Sequence, residues 1–302
     1  MFLLEVDGLA LKFGSLSAVA GVDFSVKEGE IFGLIGPDGA GKTTTLRLLV
    51  GVLDAQAGRV RVGGIDVARE PDKARELLGY MPQQYSLYGD LSVEENLRFF
   101  ADMHFVSGKE FRDRRRRLYQ FSRLEPYSTR RAGQLSGGMY KKLALSCSLI
   151  HSPRLLILDE PTTGVDPLSR RELWDILYSL AGEGTAIVLS TPYMDEAERC
   201  HRVGLMSEGR LLAADEPGSI LARFKDRVFE VGAEDLEAAL AVLERAPCVR
   251  RCYLVGSVVR AVAPADTGSE PLRIMLDKAG VAAALVEETR PTFEDVFLAF
   301  QS

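Results

Sequence analysis

Histidine, tryptophan and cysteine are scarce in this chain of 302 residues, which holds three, one and four of them. The thiols Cys147, Cys200, Cys248 and Cys252 form no Cys-x-x-Cys pair, so neither a zinc site nor a disulfide framework has support, and they read as small apolar groups in a reducing compartment. Long apolar runs are missing too. The richest stretch, Leu143 to Leu158, is broken by Ser146, Ser148, His151, Pro153 and Arg154, well short of the roughly 18 to 20 uninterrupted residues that a bilayer span needs. The opening Met1-Phe2-Leu3-Leu4-Glu5-Val6-Asp7 lacks the basic region and apolar stretch of a secretory leader. A cytoplasmic chain that reaches a membrane only through other proteins is therefore expected. Positive charge is not in excess: 37 Lys and Arg face 43 Asp and Glu, a net charge of -6. No general basic field draws nucleic acid by counterion release, and none is expected as a partner.

What is present is an ordinary globular composition, 46% hydrophobic and 26% charged, in a chain long enough for one large and one small domain. Short β-rich runs open it, Leu3 to Val6, Val22 to Val26 and Ile31 to Ile35. The third is apolar on successive residues, as in a strand covered on both faces, and leads through a glycine-rich turn into a helical segment, Lys42 to Val50. Buried strands at Leu155 to Leu158 and Ala186 to Leu189, each followed by helical sequence, imply a largely parallel sheet. Between the first of these strands and the later pair the pattern turns helical and polar, with helices expected at Asn96 to Phe105 and Lys109 to Leu124, so residues of about 88–152 read as a helical insertion. Its run Arg112 to Arg117, with five arginines, is either a solvated helix face or a contact for anionic lipid.

A hairpin is expected at Glu208-Gly209, and after it the pattern restarts. Strands at Val228 to Val231, Val249 to Leu254, Val258 to Val262 and Val281 to Val286 alternate with helices at Glu234 to Arg245, Pro271 to Ala279 and Phe293 to Phe300. That succession suggests a small α+β domain of ferredoxin-like arrangement over 221–302, behind a main domain over 1–220.

The chemistry centres on Gly36-Pro37-Asp38-Gly39-Ala40-Gly41-Lys42-Thr43, with Thr44 next, which matches G-x-x-x-x-G-K-[ST] at every fixed position between a strand and a helix. Glycines let successive N-H groups turn inward on phosphate oxygens, and the helix start adds partial positive charge. Lys42 would reach the β and γ phosphates of ATP, and the Thr43 hydroxyl would ligate Mg²⁺. The strand Leu155 to Leu158 ends in Asp159-Glu160. Alone such a pair is commonly a solvated turn. Beside the phosphate loop, Asp159 can hold the Mg²⁺ through water and Glu160 can take a proton from the water that attacks the γ phosphate.

Leu135-Ser136-Gly137-Gly138-Met139 narrows the choice, because it resembles the signature motif of ATP-binding cassette (ABC) ATPases. The family's order also holds: phosphate loop, glutamine loop Tyr80-Met81-Pro82-Gln83, signature, carboxylate strand, and Gly164-Val165-Asp166-Pro167. The resemblance covers roughly Leu3 to Leu212. It implies a P-loop α/β cassette with an N-terminal antiparallel β subdomain, and a head-to-tail dimer, with itself or with a second ABC ATPase. In that dimer Ser136, Gly137 and Gly138 serve the nucleotide of the opposite subunit. It implies that Phe13 stacks on adenine, against the alternative of a core phenylalanine. It further implies that Gln83 senses metal and attacking water, passing that state to Tyr85 to Asp90, where a separate membrane permease subunit docks. Arg290-Pro291-Thr292-Phe293-Glu294-Asp295-Val296-Phe297-Leu298 resembles the closing motif of cassettes from bacterial antibiotic and multidrug efflux systems, whose small C-terminal domain helps hold the dimer.

One position departs from the family. Where the resemblance expects Ser-Thr-His, this chain has Ser190-Thr191-Pro192, and proline offers neither a side-chain donor nor an N-H. Thr191 is expected to cap a helix running from Pro192 to Arg199. ATP binding should survive while hydrolysis slows, which leaves open a mixed dimer or a nucleotide-binding regulatory module with little turnover. Met139 for the frequent Gln and Val165 for Leu read as tolerated variants.

Overall fold

The computed structural model describes residues 2–84 and 87–300. Contacts divide the chain into two compact units, Met1–Pro217 and Gly218–Ser302. Strands β1 (Phe2–Phe13) and β2 (Leu16–Lys27) open the first unit and form a long antiparallel hairpin. Then come β3 (Ile31–Ile35), α1 (Lys42–Leu49), β4 (Ala57–Val62), β5 (Ile65–Asp66), α2 (Pro71–Leu77) and β6 (Leu78–Met81). Helices α3 (Val93–Met103), α4 (Gly108–Ser122) and α5 (Gly137–Leu149) form the insertion. The chain returns through β7 (Leu155–Asp159), α6 (Pro167–Gly182), β8 (Ala186–Thr191), β9 (Arg202–Ser207) and β10 (Arg210–Asp215), and α7 (Pro217–Ala222) comes after them.

Two sheets result. The antiparallel one has the order β2-β1-β4-β5, and the other has six strands in the order β10-β9-β3-β8-β7-β6. Within the latter β9, β3, β8, β7 and β6 are parallel, and only the edge strand β10 is antiparallel. Every residue of β3, β7 and β8 is buried, as their largely apolar sequence requires. Phe32, Leu34, Ile157 and Val188 join Leu4, Val6, Val22 and Leu46 in one core cluster that ties the parallel sheet to α1 and the antiparallel sheet. Burial of one such side chain is worth about 1.5 to 3 kcal/mol.

Strand register decides which segments emerge together at the carboxyl ends. Ile35 pairs with Thr191 and Asp159 with Ser190, so the phosphate loop, the carboxylates and the Ser-Thr-Pro segment leave the sheet side by side, where parallel sheets bind ligands.

Periodicity alone misplaces some ends. Helix α3 starts three residues before the expected Asn96, because Ser92 and Glu95 cap it reciprocally: the Ser92 Oγ accepts from Glu95 N at 3.2 Å and Glu95 Oε2 accepts from Ser92 N at 2.7 Å. Asn96 is then free to turn inward, where its amide donates to the carbonyls of Tyr88, Leu91 and Ser92. On α4 the arginine run is mostly paired, Arg114 with Glu110, Arg115 with Glu94 and Arg117 with Glu183.

In the second unit β11 (Arg227–Ala233), α8 (Leu236–Glu244), β12 (Arg251–Val255), β13 (Val258–Ala263), α9 (Ser269–Lys278) and β14 (Ala283–Thr289) precede α10 (Phe293–Phe300). The sheet order β12-β13-β11-β14 with antiparallel pairing is that of the ferredoxin-like βαββαβ plan. Phe229, Val231, Val259, Ala261, Leu243, Leu272 and Leu276 form its separate core. Cys147 and Cys200 are buried, whereas Cys248 and Cys252 are only half-buried. Among the described residues no helix is long and apolar enough to cross a membrane.

Candidate active site

An open cleft of about 1480 Å³ lies at the carboxyl ends of β3, β7 and β8, and its lining includes Phe13, Asp38, Gly39, Gly41, Lys42, Thr43, Thr44, Gln83, Glu160, Thr163, Pro192 and Tyr193. Phe13 is 51% exposed, a wall of the cleft and not a core residue. Ala40 is buried beneath the loop. Gly41 has φ 102° and a side chain on it would strike the Ala18 carbonyl, so the loop closes only with glycine there. A side chain at Gly36 would meet the Met206 carbonyl at 2.1 Å.

Lys42 is folded back onto the loop, donating to the carbonyls of Gly36 at 2.7 Å and Pro37 at 2.9 Å. Burial lowers its pKa, while Glu160, Asp38 and Asp159 act to raise it. The ammonium is thus held against the loop's own carbonyls, in the field of three carboxylates.

Thr43 Oγ1 donates to Asp159 Oδ1 at 3.0 Å, and Ser190 Oγ donates to the same oxygen at 2.6 Å. The other oxygen, Oδ2, is buried with no partner. A lone pair of a carboxylate left bare in the interior costs about 1 to 3 kcal/mol unless something outside the protein satisfies it. A hydroxyl and an unsatisfied carboxylate oxygen are hard donors of the type Mg²⁺ takes, so the residues fit that ion. Thr43 and Asp159 would hold it, and when bound it neutralises charge on the phosphates.

Glu160 comes directly after, in the left-handed region at φ 48°, a strain of about 1 to 2 kcal/mol for a residue with a Cβ. Its N-H is held by Ser190 Oγ at 3.0 Å, and its Oε2 accepts from Gln83 Nε2 at 2.9 Å and from Thr163 Oγ1 at 3.1 Å. Both donors fall on one oxygen, which leaves Oε1 open to take a proton. The geometry can therefore bind a nucleoside triphosphate and activate water beside it.

Other expected residues lie elsewhere. Ser136 caps α5 through Met139 N at 3.4 Å, and Ser136, Gly137 and Gly138 are not part of the cleft wall. Gly138 also has a packing duty within the chain, since a side chain there would collide with Ser169 at 2.3 Å. Of the expected docking segment Tyr85 to Asp90, Tyr85 and Ser86 lie outside the described residues. The expected Pro192 to Arg199 helix needs correction. Strand β8 runs through Thr191, whose Oγ1 accepts from Tyr193 N at 3.1 Å in a tight turn, and the helical part is a 3-10 turn over Met194–Arg199. Thr191 therefore closes the turn at Pro192 and caps no helix, and Pro192 sits on the cleft wall. Among the described residues no histidine lines that wall: His201 Nδ1 accepts from Ile31 N at 3.0 Å, and His151 stacks on His104 with centroids 3.8 Å apart.

Sequence reading missed Thr163 and Ser190 as site residues. Thr163 carried a local signal, a hydroxyl three residues after Glu160. Ser190 could be joined to Asp159 only by the pairing of β7 with β8, across 31 positions of sequence.

A strand, a glycine loop and a helix beside a carboxylate-ended strand define a P-loop nucleotidase fold. Residues 19–163 match the family model described as ABC transporter. Over 301 residues the chain is 40% identical to the probable multidrug ABC transporter ATP-binding protein YbhF of Escherichia coli (strain K12), covering 98% of this chain and 51% of that protein. The chain thus spans about half the length of the first curated relatives it matches. With the daunorubicin resistance ATP-binding protein DrrA3 of Streptomyces coeruleorubidus it shares 35% identity over 312 residues, 98% of this chain and 94% of the other. A solved structure of an ATP-binding subunit of an ABC transporter superposes with a TM-score of 0.68 at 32% identity, covering 74% of this chain and 93% of that one. The chain belongs to the ABC transporter family, as one of its ATP-binding cassettes.

Proposed function

We propose that this chain is the ATP-binding subunit of an ABC exporter, coupling Mg²⁺-dependent ATP binding and hydrolysis to movement of a drug, antibiotic or lipid-like molecule through separate membrane permease subunits. The observation that carries this is one cleft lined by Lys42, Thr43, Gln83 and Glu160, with Asp159 bonded to Thr43 beneath it. The names of the relatives, multidrug and daunorubicin resistance, support export. In this reading residues 1–220 are the ABC domain, and 221–302 form an accessory domain that helps hold a head-to-tail dimer. Ser136, Gly137 and Gly138 stand apart from their own chain's cleft, as a segment serving the opposite nucleotide must. The segment from Tyr85 to Asp90 meets the permease on the inner face of the cell membrane. Phe13, exposed at the cleft wall, stacks on adenine.

The test is nucleotide binding by the full chain. Lys42→Ala should weaken Mg-ATP affinity at least tenfold, or about 1.4 kcal/mol. Unchanged affinity overturns the assignment.

One observation favours a second reading, a regulatory module that closes on ATP with little turnover. Pro192 lines the cleft where the family resemblance expects a histidine donor. Steady-state hydrolysis, with and without membrane subunits copurified with the chain, separates the two.

A further inference from the structure

Lys141 lies on α5, five residues beyond Ser136, or about 7.5 Å along the axis from the capped end. Its ammonium does not point away into solvent. It donates to the main-chain carbonyl of Gln83 at 3.2 Å and to that of Glu160 at 3.2 Å. Those two residues already touch through their side chains, Gln83 Nε2 to Glu160 Oε2 at 2.9 Å. The three residues therefore close a triangle whose corners come from α5, the loop after β6 and the end of β7.

We propose that Lys141 is a positioning residue for hydrolysis, holding the base Glu160 and the sensing Gln83 in register against the helix that begins with the signature segment. This rests on reading the cleft as an ATPase site. Glu160 has more need of such support than an ordinary strand-end residue. Its backbone sits in the left-handed region, at φ 48°, and such a conformation persists only where its surroundings over-determine it. The N-H of Glu160 is fixed by Ser190, and its carbonyl also accepts from Thr163 N at 3.4 Å. Among the described residues Lys141 is the side chain that ties that carbonyl to another element. A charged donor to a carbonyl is about twice as strong as a neutral one. Burial lowers the Lys141 pKa, and Glu160 and Asp159 act in the opposite direction. Without it the peptide of Glu160 can relax toward the ordinary strand region and turn the carboxylate off the cleft. The groups that bind nucleotide, Lys42 and the loop N-H groups, would stay in place.

The experiment compares wild type, Lys141→Met, Lys141→Gln and Lys141→Arg as full chains, measuring Mg-ATP affinity by equilibrium binding and kcat and KM by steady-state hydrolysis. Met and Gln keep the stem and lose the cation. Each should lower kcat about tenfold or more with affinity and KM within twofold, whereas Arg should recover activity to within about threefold. A kcat within twofold of wild type in the Met variant overturns the proposal. So does a fall in kcat matched by an equal fall in the fraction of chains that bind nucleotide, or no recovery with Arg, since either marks a simple structural staple. If wild type itself fails to bind or hydrolyse ATP, the ATPase reading fails instead, and this inference with it.

Discussion

Two buried aspartates, one in each unit of the chain, are treated in opposite ways. Asp295 in the second unit is fully buried, and both its oxygens are met by donors: Oδ1 accepts from Tyr253 Oη at 2.6 Å and Arg260 Nε at 3.3 Å, and Oδ2 from Arg260 Nη2 at 2.8 Å, Thr292 N at 2.6 Å and Thr292 Oγ1 at 2.9 Å. Burial alone would raise its pKa, but the Arg260, Tyr253 and Thr292 donors outweigh that and hold it below the ordinary value. Asp159 in the first unit is just as buried, yet one of its oxygens has no partner. All four buried side-chain atoms without a partner, among the described residues, belong to the first unit. A carboxylate whose bonds are complete is a latch, which here pins α10 to β12 and β13. One whose bonds stop short has an oxygen that a ligand can take. Glu196 shows that this divides roles and not units, since in the first unit its oxygens accept from Arg170 and Trp174 on one side and Thr162 on the other.

The sharpest way to break this comparison is to remove each aspartate in turn. Asp295→Ala leaves the buried Arg260 with only Glu230 and one carbonyl, and should cost about 3 to 5 kcal/mol of the second unit's stability with Mg-ATP affinity unchanged. Asp159→Asn should do the reverse, leaving the melting temperature within a few degrees while Mg²⁺ no longer strengthens nucleotide binding. Thermal unfolding and binding with and without Mg²⁺ check both. A large loss of stability from Asp159→Asn would make it a latch after all.

Next in size is Pro192. In the proposed reading the loop, Asp159 and Lys42 supply the charge that binds ATP, whereas a donor at 192 would act as charge develops on the γ phosphate. Pro192→His should raise turnover about tenfold, somewhat below what one positioned catalytic group typically contributes, with a much smaller change in affinity. Rapid hydrolysis by the wild-type chain alone would show that position 192 does not limit it.

Much of this is legible in the sequence because the signals are local. Ile31 to Ile35 and the loop after them carry strand, turn and helix in one stretch, and the βαββαβ plan of the second unit shows in the alternation of period. Helix α10 can be placed to the residue, since proline, threonine and phenylalanine mark its start. The hidden parts depend on pairing across distance. Nothing local says that Ser190 bridges Asp159 and Glu160, that Lys141 reaches two carbonyls, or that Asp295 meets Tyr253 and Arg260. The end of β8 departs from expectation for a related reason: Ser190 and Thr191 are polar, but both are fully buried between β3 and β7, so tertiary pairing overrides the local preference for a helix cap.

The smallest effect concerns a third kind of buried polar atom, one left bare with no ligand to expect. His151 Nε2 lies 2.8 Å from the Leu78 carbonyl, which can only accept, so the proton sits on Nε2 and Nδ1 keeps its lone pair, buried without a partner. Burial, aided by neighbouring His104 and Arg114 against the Leu78 contact, lowers the His151 pKa from 6.5 to about 4. Between pH 6.5 and about 4 the unfolded chain takes up a proton that the folded imidazole refuses, so stability is complete above pH 6.5 and falls as the pH drops toward 4. The full difference is at most about 3 kcal/mol, and solvent at the ring's exposed edge reduces it to about 1 to 2 kcal/mol. His151→Gln keeps a donor for Leu78 and titrates nowhere in this range. Denaturant unfolding of the first unit at pH 7 and pH 4.5 should therefore show wild type losing about 1 kcal/mol more than the variant. Equal losses would mean that Nδ1 has found a partner in solution, and that a bare atom away from the cleft is as well satisfied as Asp295.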